Sequence, residues 1–343
     1  MNEEAIPAAR TVLSAGEAHT VAVRADGTVL AAGDNRAGQC RVDDWENVVS
    51  VSAGWHHTLA LRSDGAVLVA GNRAMPWCDL PARWRDMRAV AAGLDRTAGV
   101  RENHTVALAG MFSPREIRAA VTWHDVTAVA IGIAHLLGLR ADGTVVCAGR
   151  DDALPVETAL WKDVTALSAA YVYAMGLRSD GTVVCAGSVP FDRAELSRWQ
   201  DMVAVSAGHN HAVGLRADGR VRTLGSNEFR QRDTESWDGM IAVAAGHSHT
   251  VALRRDGTMR ATGRNENGQA DVFGWRDVAL PLPPKTEPPQ PEKTDPAAET
   301  RVWFRPDGTV TQDPAAADWV MGPDGTLRRR TEEEDPGILW KNG

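Results

Sequence analysis

The sequence predicts an all-β chain: a seven-bladed β-propeller of 38–39-residue repeats, with a small C-terminal β-hairpin module. Three observations predict it. Trp45, Trp84, Trp123, Trp161, Trp199, Trp237 and Trp275 recur at spacings of 39, 39, 38, 38, 38 and 38, so seven of the 12 tryptophans are one position. An Ala-Gly-x-x-His turn repeats in register, its glycine at Gly16, Gly54, Gly93, Gly132, Gly208 and Gly246, with Ala170 in the remaining unit. An Asp-Gly pair recurs at Asp26-Gly27, Asp64-Gly65, Asp142-Gly143, Asp180-Gly181, Asp218-Gly219 and Asp256-Gly257, and the third unit replaces it with Asn103-His104.

Within each unit the apolar period is two, the period of a strand rather than a helix. A Val-x-Val alternation ahead of the glycine makes strand one. A Thr-Val-Ala-Leu-Arg type segment makes strand two, and Thr-Val-x-x-x-Gly makes strand three. Asp-Gly joins strands two and three because a tight hairpin needs positive φ, which Asn and His also tolerate at Asn103-His104. The units run 7–44, 45–83, 84–122, 123–160, 161–198, 199–236 and 237–274. One such unit cannot bury its apolar faces alone, and radial stacking of seven solves that. Trp275-Arg276-Asp277-Val278 begins an eighth copy, while the first unit starts at Ala5-Ile6-Pro7 without its tryptophan. The C-terminal stub is therefore expected to close the ring.

The propeller is expected over 1–280. A linker at 281–300 holds seven prolines, and a tail module over 301–343 carries two Pro-Asp-Gly hairpin signals. The Arg328-Arg329-Arg330 and Glu332-Glu333-Glu334-Asp335 runs read as a solvated end.

Composition excludes several functions. At 43% hydrophobic and 24% charged residues the chain has globular composition, and a net charge of −8 gives no basic footprint for nucleic acid. No run of about 18 apolar residues would span a membrane. Met1-Asn2-Glu3-Glu4 puts acids where a signal peptide carries basic residues. Four cysteines without a CxxC pair make no disulfide framework, so a reduced, cytoplasmic setting is expected. GxSxG, HExxH and phosphate-cradling glycine loops are missing, so the expectation is a binder with no cofactor and no catalytic residues.

The repeat resembles a known family. Ala245-Gly246-His247-Ser248-His249-Thr250, Leu253-Arg254-Arg255-Asp256-Gly257-Thr258 and Gly263-Arg264-Asn265-Glu266-Asn267-Gly268-Gln269 look like the regulator-of-chromosome-condensation repeat, over about residues 7–280. The short units are similar to bacterial members, which include a secreted propeller inhibitor of β-lactamases. Gly54-Trp55-His56-His57-Thr58 matches once the Gly-Trp-x-His-Thr motif of a plant ultraviolet-B photoreceptor of the same repeat; the other units lack the tryptophan. What the resemblance implies is a propeller fold, with several unrelated roles open to it.

Strand direction puts the Ala-Gly-x-x-His turns and the loops after strand three on one face, with the Asp-Gly hairpins on the other. The first variable turn position carries Trp55, Leu94, Ile133 and Tyr171 in four successive units, then His209 and His247; His56 follows Trp55. Trp77, Phe112, Phe191 and Phe229 adjoin in the loops. Large apolar residues on turns read either as an exposed arc for a protein or peptide partner or as a plug of the central channel. The first reading makes the chain an interaction scaffold or inhibitor-like binder. The alternative is a metal- or small-ligand-binding propeller, an enzymatic one included, centred on His209-x-His211 and His247-x-His249, whose i, i+2 spacing aligns side chains on a strand. His19, His57, His135, His211 and His249 share one repeat slot with Arg96 and Tyr173, and repetition in every unit argues for a structural role. Cys147 and Cys185 likewise share a small apolar slot.

Overall fold

The computed structural model describes residues 11–149 and 157–281, together with the backbone of four short strands within 302–329. Alternating segments of each repeat form one three-stranded antiparallel sheet, and there are seven such sheets in chain order. They are Leu13–Ala15, His19–Val23 and Val29–Gly33 (β1–β3); Val48–Ala53, His57–Arg62 and Val67–Gly71 (β4–β6); and Met87–Ala92, Arg96–Arg101 and Val106–Gly110 (β7–β9). Then come Val126–Ile131, His135–Arg140 and Val145–Gly149 (β10–β12), followed by Val164–Ala169, Tyr173–Arg178 and Val183–Gly187 (β13–β15). Met202–Ala207, His211–Arg216 and Val221–Gly225 (β16–β18) precede Met240–Ala245, His249–Arg254 and Met259–Gly263 (β19–β21). The arrangement is a seven-bladed propeller.

The middle strand of each blade is buried on both faces. Its central slot (Val21, Leu59, Ala98, Leu137, Met175, Val213 and Val251) is fully buried in all seven blades. Removing such side chains from water, at roughly 25 cal/mol per Å² of apolar surface, holds neighbouring blades together. The repeated tryptophan lies against the same strand. Its ring would touch a Cβ at Gly99, Gly138, Gly176 or Gly214, so the strand keeps a small residue there. Two residues after each tryptophan the backbone turns left-handed: Asn47, Asp86, Asp125, Asp163, Asp201, Gly239 and Asp277 all have φ between 56° and 64°. Asn, Asp and Gly are the residues that accept this conformation, which explains the Trp-x-Asp signature. The Asp-Gly hairpins behave as expected, with His104 at φ 64° in the exceptional unit. Six of the hairpins grip the next blade, as where Val48 N–H donates to the Gly27 carbonyl at 2.9 Å.

The stub closes the ring. Val278 pairs antiparallel with Arg24, Ala25 N–H donates to the Asp277 carbonyl, and Ala279 N–H donates to the Val23 carbonyl, both at 2.8 Å. Trp275 and Val278 are buried in the cluster of the first blade with Val12, Val23 and Val42. Val278 thus supplies the residue that Val48, facing Arg62, supplies in the second blade.

The chain divides into two units, Met1–Glu287 and Pro288–Gly343. In the second, Val302–Phe304 pairs with Val310–Thr311 and with Trp319–Met321, which pairs in turn with Leu327–Arg329, giving a four-stranded antiparallel sheet. Residues 1–10, where the first unit was expected to start, lie outside the described residues, as do the linker from 282 onward and the acidic run at 332–335. No helix among the described residues is long and apolar enough to cross a membrane.

Candidate functional site

Pairing of His19 with Gly33, and of the equivalent residues in every other blade, sets the Ala-Gly-x-x-His turns and the ends of strand three at one end of the propeller. There the seven turns meet around the axis. Their glycines are not in a left-handed conformation; they are required by close approach. A Cβ on Gly54 would stand 2.5 Å from the Gly93 carbonyl oxygen and 2.8 Å from Cε1 of His57. A Cβ on Gly246 would stand 2.6 Å from the Gly16 carbonyl, so the contact runs across the closure of the ring. Ala170 fills the slot in the one blade whose histidine is replaced by Tyr173.

The histidines behind these glycines form a relay between blades. Nε2 of His19, His57, His211 and His249 lies 2.9–3.0 Å from Oγ1 of Thr58, Thr97, Thr250 and Thr20 of the following blade. Each threonine donates its one proton to a loop carbonyl, of Gln39, Trp77, Gln231 and Gln269 respectively. The threonine must then accept from the ring, so Nε2 carries a hydrogen. Burial pushes the pKa of His19 and His135 down to about 4, and that of His57, His211 and His249 to about 3. Where the next blade offers Leu136 or Ala212 in place of threonine, the histidine is replaced by Arg96 or Tyr173, while His135 is kept opposite Ala174. Arg96 reaches buried Glu116 and the Ile133 carbonyl, both at 2.8 Å, and Tyr173 places its hydroxyl 2.8 Å from the Gly208 and His211 carbonyls. The slot is structural, as its repetition implied: four of its histidines bond a threonine of the following blade, whereas His135, Arg96 and Tyr173 bond backbone groups.

The paired-histidine expectation needs correction. His209 and His247 sit in the turns, two residues before β17 and β20 begin, so strand alternation does not align them with His211 and His249. They point to the axial cavity while the latter pair is buried between blades. Among the described residues no group of three or more His, Cys, Asp or Glu is placed to hold a metal.

The axial cavity, of about 110 Å³, is lined by the first variable residue of every turn: Glu17, Trp55, Leu94, Ile133, Tyr171, His209 and His247. All seven are half-buried. Trp55 and Tyr171 stack across the ring with centroids 6.2 Å apart, and His209 stacks on His247 at 4.1 Å. Edge contacts from Tyr171 to His209 and from Trp55 to His247 join the two pairs into one aromatic cluster. Burial lowers the pKa of both histidines, that of His247 to about 4. Burial also raises the Glu17 carboxyl, against the opposing pull of His56. His56 is exposed at the rim.

The loop aromatics are not part of this cluster. Phe112 packs beneath the Arg96 guanidinium at 4.8 Å, Phe191 meets the edge of Tyr173 at 5.7 Å, and Phe229 lies under Arg264 at 5.2 Å. The Trp77 side chain is half-buried, beginning beside Gly110. Phe112 and Phe191 pack within their own blades, while Trp77 and Phe229 contact the following one. Glu17 was not singled out from the sequence, although it is the only carboxylate in the first-position series.

Comparison with known proteins places the regulator of chromosome condensation (RCC1) repeat at residues 11–39, 48–72, 202–231 and 240–269, so the chain carries these repeats in four places. No curated protein sequence matches it. Among solved structures, the CRINKLY WD40 ectodomain of the Arabidopsis thaliana receptor kinase ACR4 is similar with 15% identity and a TM-score of 0.59, covering 80% of this chain and 99% of that one. The ectodomain of the Physcomitrella patens receptor kinase CR4 is similar with 17% identity and a TM-score of 0.59, covering 75% and 73%. Yeast RCC1 (Prp20), solved bound to Kap60, shows 16% identity and a TM-score of 0.44, covering 78% and 74%. At such identities the likeness to the two ectodomains shows the fold alone.

Proposed function

We propose that this chain is an interaction scaffold that grips a protein or peptide partner with the Ala-Gly-x-x-His end of its propeller. The observation that carries the reading is the convergence of seven variable turn residues on one axial surface, with Trp55, Tyr171, His209 and His247 in mutual contact and half-buried. The rest of the turn is held by the glycine contacts in six blades and by the His–Thr bond in four, with Arg96 and Tyr173 bonded in the same slot, so the frame behind the axial residues is fixed. Rigid aromatic side chains on a fixed frame lose little conformational entropy on binding, and such residues dominate interface energetics. His56 and Val172, which is 43% exposed, extend the surface beyond the rim. The reading goes with a cytoplasmic location, in which the four free thiols stay reduced.

The double substitution Trp55→Ala with Tyr171→Ala tests it. Loss of two aromatic anchors should weaken partner capture by roughly 100-fold, at 2 kcal/mol or so per hot spot with incomplete additivity. Both side chains are half-buried in turns, so the circular dichroism spectrum should be retained. Unchanged capture with a retained fold would move the binding surface elsewhere.

A further inference from the structure

We propose that the axial cavity takes the cationic head of one lysine or arginine side chain presented by the partner, with the Glu17 carboxylate and the surrounding aromatic rings as its receptor. This rests on the reading of the axial end as the binding face and goes beyond it by naming what enters the centre. Glu17 carries the only carboxyl among the residues lining the cavity; the remainder are glycine, alanine, leucine, isoleucine, tryptophan, tyrosine and two histidines. His56, Arg36 and Arg264 act on Glu17 at longer range, but Arg36 pairs with Asp34 at 2.8 Å and Arg264 pairs with Glu266. No ion pair to Glu17 stands among the described residues, leaving one negative charge in a small, half-enclosed aromatic space.

The two stacked imidazoles reinforce the sign. Burial disfavours the charged form of each ring, and at a separation of 4.1 Å a proton on one further disfavours a proton on the other, so the pair is neutral at neutral pH. A cation gains from the carboxylate and from the negative faces of Trp55 and Tyr171. A cavity of about 110 Å³ admits an alkylammonium or guanidinium head but not a folded element. The overall charge of −8 draws a basic partner toward it.

The test uses the full chain with isotopically labelled histidine and follows the ring signals of His209 and His247 by NMR. The probes are capped tripeptides with lysine, arginine, norleucine or glutamate between two glycines. The lysine and arginine peptides should give saturable shifts with a dissociation constant on the order of 1 mM, and norleucine should bind at least about tenfold more weakly. Glu17→Gln should weaken the cationic peptides about fivefold with the spectrum of the fold unchanged. Equal binding of lysine and norleucine, no shift with either cationic peptide, or preference for glutamate would overturn the proposal. If partner capture depends on Trp55 and Tyr171 while the cationic peptides fail, the binding face stands and only the cation falls. If the cationic peptides bind as expected and capture ignores both aromatics, the cavity chemistry stands and the face is wrong.

Discussion

Urea unfolding midpoints should fall steeply between pH 6.5 and pH 4.5, and the propeller should unfold at 25 °C around pH 5. His19, His57, His135, His211 and His249 are buried, with folded pKa values of about 3 to 4 against an ordinary 6.5. Below 6.5 the unfolded chain takes up protons that the folded chain refuses. Stability is therefore fully present above the ordinary value and is lost as pH falls toward the folded one. Each such histidine removes up to about 1.4 kcal/mol per pH unit, and five acting together exhaust a typical stability of about 5–15 kcal/mol within one to three units. The tautomer makes the cost specific: Nδ1 of His19, His57, His211 and His249 is buried without a hydrogen-bond partner among the described residues, so an added proton has nowhere to donate. Flat midpoints from pH 7 to pH 5 would mean that the relay does not hold its histidines neutral.

Deleting residues 275–280 should lower the melting temperature by at least about 10 °C and broaden the transition. The deletion removes a buried tryptophan, worth about 3–5 kcal/mol by truncation alone, and about 2–4 °C attends each kcal/mol in a domain of this size. It also removes Val278 from the core and frees the edge of the first blade, where Ala25 and Val23 bond to the stub. Trp275→Ala, which keeps the backbone bonds, should fall between the deletion and the intact chain. A melt unchanged by the deletion would show that the ring is held shut without the stub.

Much of the fold was legible because a repeat states its constraints seven times. The tryptophan spacing, the Asp-Gly hairpins and the Trp-x-Asp at Trp275 that opens an eighth copy each mark a backbone requirement visible in one dimension. The left-handed residue after each tryptophan was legible too, in hindsight, as the invariant choice of Asn, Asp or Gly at 47, 86, 125, 163, 201, 239 and 277. The site was half legible. Alignment of the turns put Trp55, Leu94, Ile133, Tyr171, His209 and His247 in one series, and the structure brings that series to one cavity. Whether those side chains would lie out or in depended on the radius of the ring, which no local pattern encodes. The answer joins both readings, since the rings stack over the axis and stay half-exposed.

Pairings across blades were hidden for the same reason. The bond from His19 to Thr58 links residues 39 apart, and the bond from His249 to Thr20 links residues 229 apart. The replacements Arg96 and Tyr173 make sense only beside Glu116 and the Gly208 carbonyl, which other segments supply. Phe112, Phe191 and Phe229 shared the turn face in sequence but are drawn to Arg96, Tyr173 and Arg264. A hydrophobic loop residue carries no mark of whether its partner is its own fold or another molecule.

The central claim is that the axial end of the propeller, and not the Asp-Gly end, meets the partner. Site-specific photocrosslinking in the native host tests it most directly, with a benzophenone side chain at exposed His56, Val172 or Asn210 on one end and at exposed Asp64 or Asp218 on the other. The account predicts one shared crosslinked protein from the three axial positions, abolished by Trp55→Ala with Tyr171→Ala, and no crosslink to it from the two hairpin positions. A partner crosslinked from Asp64 or Asp218 and not from the axial positions would contradict it.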